Sequence, residues 1–403
     1  MRHTIRSFIS DSERVSTIKK QEKKSSSLSA IVVSVVFFAI LVILAVVTVM
    51  LPKSSFSEME NTYLQSWPKF SAKALFNGSY TDDIETYLSD HFVGRVSWIS
   101  MKSGFERLLG KNEQNGIYIL KDRLIEKVSE PDYDDVDKSI SAINKFAGEN
   151  DIPVYMMLVP TSAEFYKDRL PSYDPNLDQR AFIDYVYKSL DSSVTAIDVY
   201  PIMSLNASDY IYYRTDHHWT TYGAYLAYAA ASGQMGYAAP DISSYNVEHA
   251  SSEFKGTFYS KALYNNIPDD TIDFYFNAED EAAVTVEITS AFGEEPAVYD
   301  SMYFRDYLNV KDKYSSFLGT NTPIVKIKSD NDGGKLLIIK DSYAHCYAPF
   351  LTENYSEITL LDMRYIQISY KSVIDMSDYD QVLFLYNVSS FASDTDLKKL
   401  MYN

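Results

Sequence analysis

Leu336-Leu-Ile-Ile-Lys-Asp-Ser342 is an uninterrupted apolar run that stops at a charged pair and a serine, and residues 343–351 carry on as a helix-like stretch. A short apolar run of this kind reads as a strand buried on both faces, the sort that belongs to a parallel sheet covered by helices. The pattern recurs along the chain. Val154–Val159 is closed by Pro160, residues 194–199 run into Tyr200-Pro201, and residues 358–361 and 381–386 repeat the theme. Helical stretches at 136–146, 181–190 and 222–235 lie among them. Strands alternating with helices predict an α/β fold whose parallel sheet has helices on both faces. Residues 238–330 are richer in turns, with strands predicted at 271–276 and 284–288, and read as an insertion into that fold. Gly116-Ile-Tyr-Ile-Leu120 and Leu124-Ile125 predict a short hairpin.

Residues 28–51 contain no charged side chain and are almost wholly aliphatic or aromatic. That length matches the roughly 20 residues needed to cross a bilayer, and it exceeds the apolar core of a cleaved secretory signal. Lys19, Lys20, Lys23 and Lys24 stand just ahead of it, so the positive-inside rule predicts a single-pass anchor with a cytoplasmic N-terminus and residues 52–403 outside. The expected organisation is a basic tail at 1–27, the anchor at 28–51, a helical stalk or lid at 52–115, and a catalytic domain at 116–403.

The charge distribution narrows the partners. Lys and Arg number 37 against 55 Asp and Glu, a net charge of −18, although the tail is basic. A domain this acidic repels phosphate backbones, which argues against nucleic acid as a partner. Cys346 is the only cysteine, so an internal disulfide and a cysteine-based zinc cage are both excluded, and its apolar setting marks a packed thiol.

Thr215-Asp-His-His-Trp219 holds the second half of a chemical argument. An Asp two residues before a His can orient that imidazole as a general base, and Thr220 or Thr221 can cap the helix that follows and fix the backbone after His218. On extended backbone His217 points the other way. Ser342, at a strand-to-helix turn with free N–H groups nearby, is the matching nucleophile. Read locally, Asp216 and the histidines can also be a capping and packing cluster, and Ser342 a helix cap. A metal site through Asp216, His217 and His218 is a third reading, weakened because adjacent histidines rarely converge on one ion.

Taken together these motifs resemble the DHHW family. The resemblance rests on Thr215-Asp-His-His-Trp219 with Tyr222-Gly223, on Lys311-Asp-Lys-Tyr314 with Phe317-Leu-Gly319 and Asn321, on Asp341-Ser-Tyr-Ala344, and on Leu361-Asp-Met-Arg-Tyr365. It spans most of residues 56–403. That family is similar in turn to the alginate O-acetylation proteins, whose catalytic domain has a circularly permuted SGNH hydrolase fold in which Asp and His precede Ser, the order seen here. The resemblance implies Ser342 as nucleophile, His218 as base and Asp216 as its orienting carboxylate. It also implies Asn387, at the end of a later strand, as an oxyanion donor, with Arg364, Tyr343 and Asn321 as further substrate or oxyanion contacts. The implied activity is an exported O-acetyltransferase acting on a cell-surface or secreted polysaccharide. It needs no metal and no cofactor, and a membrane-bound O-acyltransferase partner would supply the acyl groups. A carbohydrate esterase with the same triad, or a non-catalytic glycan-binding or assembly module, are the alternatives.

Overall fold

The computed structural model describes residues 29–57, 59–60, 62–172, 176–277 and 283–402. The basic tail at 1–27, and Leu28, lie outside the described residues. The chain divides into two compact units, one of residues 1–57 and 62–98 and the other of residues 58–61 and 99–403.

In the first unit Ser29–Met50 is one helix of 22 residues, long and apolar enough to cross a membrane, with nearly every side chain exposed. Phe56–Ser57 (β1) pairs antiparallel with Thr62–Tyr63 (β2), and the helices Ala72–Phe76 and Ser79–Asp90 follow. Neither of those helices buries a residue, and side chains at the end of the second tie it to the preceding segment: Asp90 accepts from Gln65 N at 2.8 Å, and His91 Nε2 lies 3.2 Å from Ser54 O. Residues 52–115, where a helical stalk or lid is expected, fall partly in each unit. The division falls inside the helix Arg95–Leu108, and within the second unit Ser103 Oγ donates to Ala262 O at 3.0 Å while Asn115 Nδ2 donates to Lys261 O at 2.9 Å.

The second unit opens with a three-stranded sheet of Glu113–Gln114 (β3), Ile117–Ile119 (β4) and Leu124–Glu126 (β5), which contains the predicted hairpin. Its framework is an eight-stranded sheet. Val154–Val159 (β6), Val194–Ile197 (β7), Lys335–Lys340 (β13), Glu357–Leu361 (β14) and Gln381–Asn387 (β15) form the parallel part, in the order β14-β13-β15-β6-β7. Each of these runs except β7 is almost entirely buried, as strands covered on both faces must be. Helices Tyr133–Glu149 and Gln179–Ser189 pack in the core on one face, and Thr221–Met235 and Ala344–Leu351 in the core on the other.

Residues 238–330 differ from the expected insertion. Tyr245–Phe254 (β8) and Asp270–Asn277 (β9) do make a separate antiparallel pair. Val284–Thr289 (β10), Ala297–Tyr299 (β11) and Ile324–Ser329 (β12), however, extend the main sheet antiparallel beyond β14, in the order β11-β10-β12-β14. β10 and β12 alternate buried with more open residues and β11 is exposed throughout, because this part of the sheet packs one face only, and so they lack the continuous apolar run that marks the parallel strands.

Candidate active site

Strand β13 ends at Lys340 opposite Leu385, β15 runs on to Asn387, and Asp341 and Ser342 follow β13 beside that last stretch. This is the end of an α/β sheet where loops rather than side chains fill the space, and ligands bind there. Asp341 and Tyr343 are sealed from solvent while Ser342 between them is partly open, so the turn presents the serine alone.

His218 arrives from the 210–219 segment. Its backbone is clamped by Asp270, a fully buried carboxylate that accepts from Arg214 N at 2.7 Å, Thr215 N at 2.8 Å, Thr215 Oγ1 at 2.5 Å and Tyr210 OH at 2.5 Å. Thr220 caps the next helix by accepting from Gly223 N at 3.2 Å, as expected. Gly223 is required there, since a Cβ would sit 2.3 Å from Ile211 O.

Between these supports His218 Nε2 lies 2.7 Å from Ser342 Oγ and Nδ1 lies 2.6 Å from Asp216 Oδ1. Asp216 also accepts from His218 N at 3.0 Å and from Thr257 N at 2.7 Å. Gly256 makes that last approach possible, because a Cβ on it would meet Asp216 Oδ2 at 2.1 Å. Burial alone would raise the Asp216 carboxyl, but the imidazoles of His217 and His218 and the Thr257 N–H overcome it and hold it below the usual carboxylate range. Burial first, then His217, brings His218 down to about 4 against the opposing pull of Asp216. At neutral pH the imidazole is therefore uncharged, its proton on Nδ1 facing Asp216 and its Nε2 lone pair facing the Ser342 hydroxyl.

Tyr314 completes the frame. Its ring stacks on His218 with centroids 3.5 Å apart and planes 9° from parallel, and its hydroxyl donates to Ser342 O at 3.0 Å. His217 does not point away from His218: the rings lie 3.8 Å apart, because residues 215–218 form bends rather than an extended strand. Asp216, His217 and His218 bring donor atoms within 4.8 Å of one another. Both nitrogens of His218 are already committed, to Asp216 and to Ser342, and that speaks against a metal.

The remaining expected contacts separate. Asn387 is not available as an oxyanion donor: its Nδ2 donates to Asp341 Oδ2 at 2.6 Å and Ser390 Oγ at 2.8 Å, using both hydrogens. Tyr343 N is likewise taken, by Asp341 Oδ1 at 2.9 Å, and the buried Tyr343 hydroxyl donates to His217 O at 2.5 Å. Asn321 supports Lys340, whose buried ammonium donates to Asn321 Oδ1 at 3.0 Å, His345 Nε2 at 2.8 Å and Asp362 Oδ2 at 3.1 Å. Arg364 is different. It is held by Asp362 through Nε at 2.8 Å and Nη2 at 2.5 Å, remains part-exposed, and lies close enough for its charge to act on His218. Gly256, Thr257, Asp270 and the stacking role of Tyr314 were not foreseen; the first three sit in the turn-rich block, where no periodicity singles them out.

Residues 113–361, more than half of the chain, match the family described as DHHW protein. A DHHW family protein from Eubacterium siraeum is 27% identical, with a TM-score of 0.60 over 72% of this chain and 96% of that one. PatB1 of Bacillus cereus, solved with a sulfonyl adduct, shares the fold at 20% identity and a TM-score of 0.60, covering 70% of this chain and 97% of its own. No curated protein matches. With the family's namesake residues Asp216, His217, His218 and Trp219 at the centre of the site, the chain belongs to the DHHW family.

Proposed function

We propose that this protein is an extracytoplasmic O-acetyltransferase of SGNH hydrolase type that works through Ser342, His218 and Asp216 on a cell-surface or secreted polysaccharide. The observation that carries the reading is the continuous chain from Asp216 Oδ1 through both nitrogens of His218 to Ser342 Oγ, at 2.6 and 2.7 Å. Ser342 Oγ attacks the acetyl carbonyl as its proton passes to His218 Nε2, and Asp216 stabilises the imidazolium. The donor's leaving group departs with that proton. A sugar hydroxyl then attacks the acetyl-enzyme, His218 takes the hydroxyl proton, and the same proton returns to Ser342 as the ester bond to the enzyme breaks. Ser342 N–H, which no described hydrogen bond uses, and the Arg364 guanidinium are the groups we assign to the developing oxyanion.

The helix Ser29–Met50 would anchor the domain outside the membrane, and a membrane-bound O-acyltransferase would deliver the acyl group. Treating the full chain with a sulfonyl fluoride should add one adduct, located at Ser342 by peptide mass spectrometry and absent in Ser342→Ala. Acetyl release from an activated ester should vanish in Ser342→Ala and in His218→Ala alike, since residues that act as one unit are not additive. Release that survives in Ser342→Ala would sink the enzyme reading and leave the glycan-binding or assembly module. Acetyl passed only to water when an oligosaccharide is present would identify an esterase instead.

A further inference from the structure

A single segment, residues 301–322, joins the Ser342 site to a second cavity. Its turn Lys313–Ser316 carries Tyr314 to the face of His218. The turns on either side line an open groove of about 530 Å3 to which Ser342, His218 and Asp216 contribute nothing. The register places this groove. Thr289 at the end of β10 is opposite Ile324 at the start of β12, which is opposite Leu361 at the end of β14, so the groove lies at the same end of the sheet as Ser342. With strands about 4.8 Å apart, two or three strand spacings separate it from β13, a distance of about 10 to 14 Å. Arg364 lies in the loop after β14, on the way between the two.

The lining has a definite chemistry. Tyr299 is 44% exposed, and its ring centroid is 4.6 Å from that of Phe304. Gly319, at φ +80°, lets Phe304 lie where a Cβ would approach its ring to 3.2 Å. Thr322 Oγ1 is shut off from solvent and has no hydrogen-bond partner, so it retains unused donor and acceptor capacity. Among the described residues Arg305 is the only cation in the lining, and Glu248 holds it bidentate at 2.6 and 2.7 Å, which leaves the lining carboxylates Asp300 and Asp306 without a cation among those residues. Exposed aromatic faces beside hydroxyls suit the alternating apolar and polar faces of a sugar, and the volume lies in the range of ordinary ligand sites. Two carboxylates without a free cation disfavour an anionic polymer.

We propose that this groove is an acceptor subsite for an uncharged glycan, holding the polymer while a hydroxyl further along it reaches Ser342. The proposal deepens the transferase reading above and rests on it for its role, but its test reads binding separately. The full chain in nanodiscs is titrated with cellohexaose, chitohexaose and, as the anionic probe, hexagalacturonate. At least one neutral hexamer should bind, equally well in wild type and in Ser342→Ala. Tyr299→Ala should weaken that binding about tenfold and Thr322→Val a few-fold, with turnover of a small activated ester unchanged in both. Wild-type affinity in Tyr299→Ala, preference for hexagalacturonate, or binding of neither neutral hexamer would each overturn the proposal. Intact hexamer binding by a wild-type protein that turns over no ester would instead overturn the acetyl-transfer reading and leave the groove standing.

Discussion

Asp216 and Asp341 are both buried carboxylates within one residue's reach of the Ser342 hydroxyl, and the two regions that hold them drive them in opposite directions. In the 210–219 segment Asp216 faces two imidazoles and two backbone N–H groups, and its carboxyl is lowered against the effect of burial. In the Ser342 turn burial raises Asp341, and the Asn387 and Tyr343 backbone donors and the charge of Arg364 lower it without offsetting that cost. The difference teaches that backbone donors, even with the charge of Arg364 acting on the same carboxyl, do not replace its lost hydration, whereas two imidazoles beside the carboxylate do. It also separates two jobs. Asp216 is held ionised beside His218, where the proposed reaction would place a positive charge, and Asp341 ties strand β15 to the turn.

The sharpest way to break this contrast is to neutralise each carboxylate with its amide. Asp216→Asn should lower kcat for an activated ester by about 10⁴-fold, because the amide favours the wrong imidazole tautomer and cannot stabilise the imidazolium. Asp341→Asn should cost about tenfold or less, the worth of a disturbed hydrogen bond in a turn that keeps its shape. Equal losses in steady-state turnover would show that both carboxylates serve the reaction.

Next in size is Gly256→Ala, which attacks Asp216 from a residue 40 positions away. A Cβ at 2.1 Å from Oδ2 must push the carboxylate off His218, and a displacement on the scale of 1 Å costs about 10²-fold in turnover. Peptide adduct formation at Ser342 should slow in parallel. A variant as fast as wild type would show that Thr257 and Gly256 do not position Asp216.

This dependence also explains what was legible in the chain. The parallel strands announce themselves because burial on both faces demands continuous apolar runs, and the Ser342 turn follows from where such a run stops. Asp216 and His218 were readable as a pair because two residues suffice to state their chemistry. The orientation of His217 was misread because strict alternation of side chains belongs to strands, and residues 215–218 bend. Asn387 stood at the expected strand end, but which partner its amide chooses depends on Asp341 across the sheet. Gly256, Thr257 and Asp270 support the base from turns and a strand end whose contacts are all long-range, so local sequence carries no mark of them.

The pH dependence sharpens the contrast from the base side. His218 works as a base only when neutral, and burial brings its proton affinity down to about 4. For an uncharged ester kcat/KM should therefore stay flat from pH 7 to pH 5 and fall tenfold per unit only below about pH 4. The same shift bears on folding. Below about 6.5 the unfolded imidazole takes up a proton that the folded one refuses, so this group's contribution to stability declines as pH falls through that window toward 4. An acid limb near 6.5 would mean that the imidazole is hydrated and that the sealed base segment opens in solution.

The smallest expected effect tests the residue that touches both regions. Tyr314 lies face to face with His218 and donates to Ser342 O, and burial keeps its hydroxyl protonated by raising it well above its ordinary value. Tyr314→Phe retains the ring and loses the hydroxyl's contacts with Ser342 O and, at 3.3 Å, Cys346 Sγ, the first worth about 1 kcal/mol, so turnover should fall about fivefold with the acid limb still near pH 4. Tyr314→Leu removes the flat surface that excludes water from one side of the imidazole. Its acid limb should move up toward the ordinary histidine range as hydration returns. If the two variants share one pH profile and differ only in stability, Tyr314 merely fills space, and the orientation of His218 must then come from Asp216 alone.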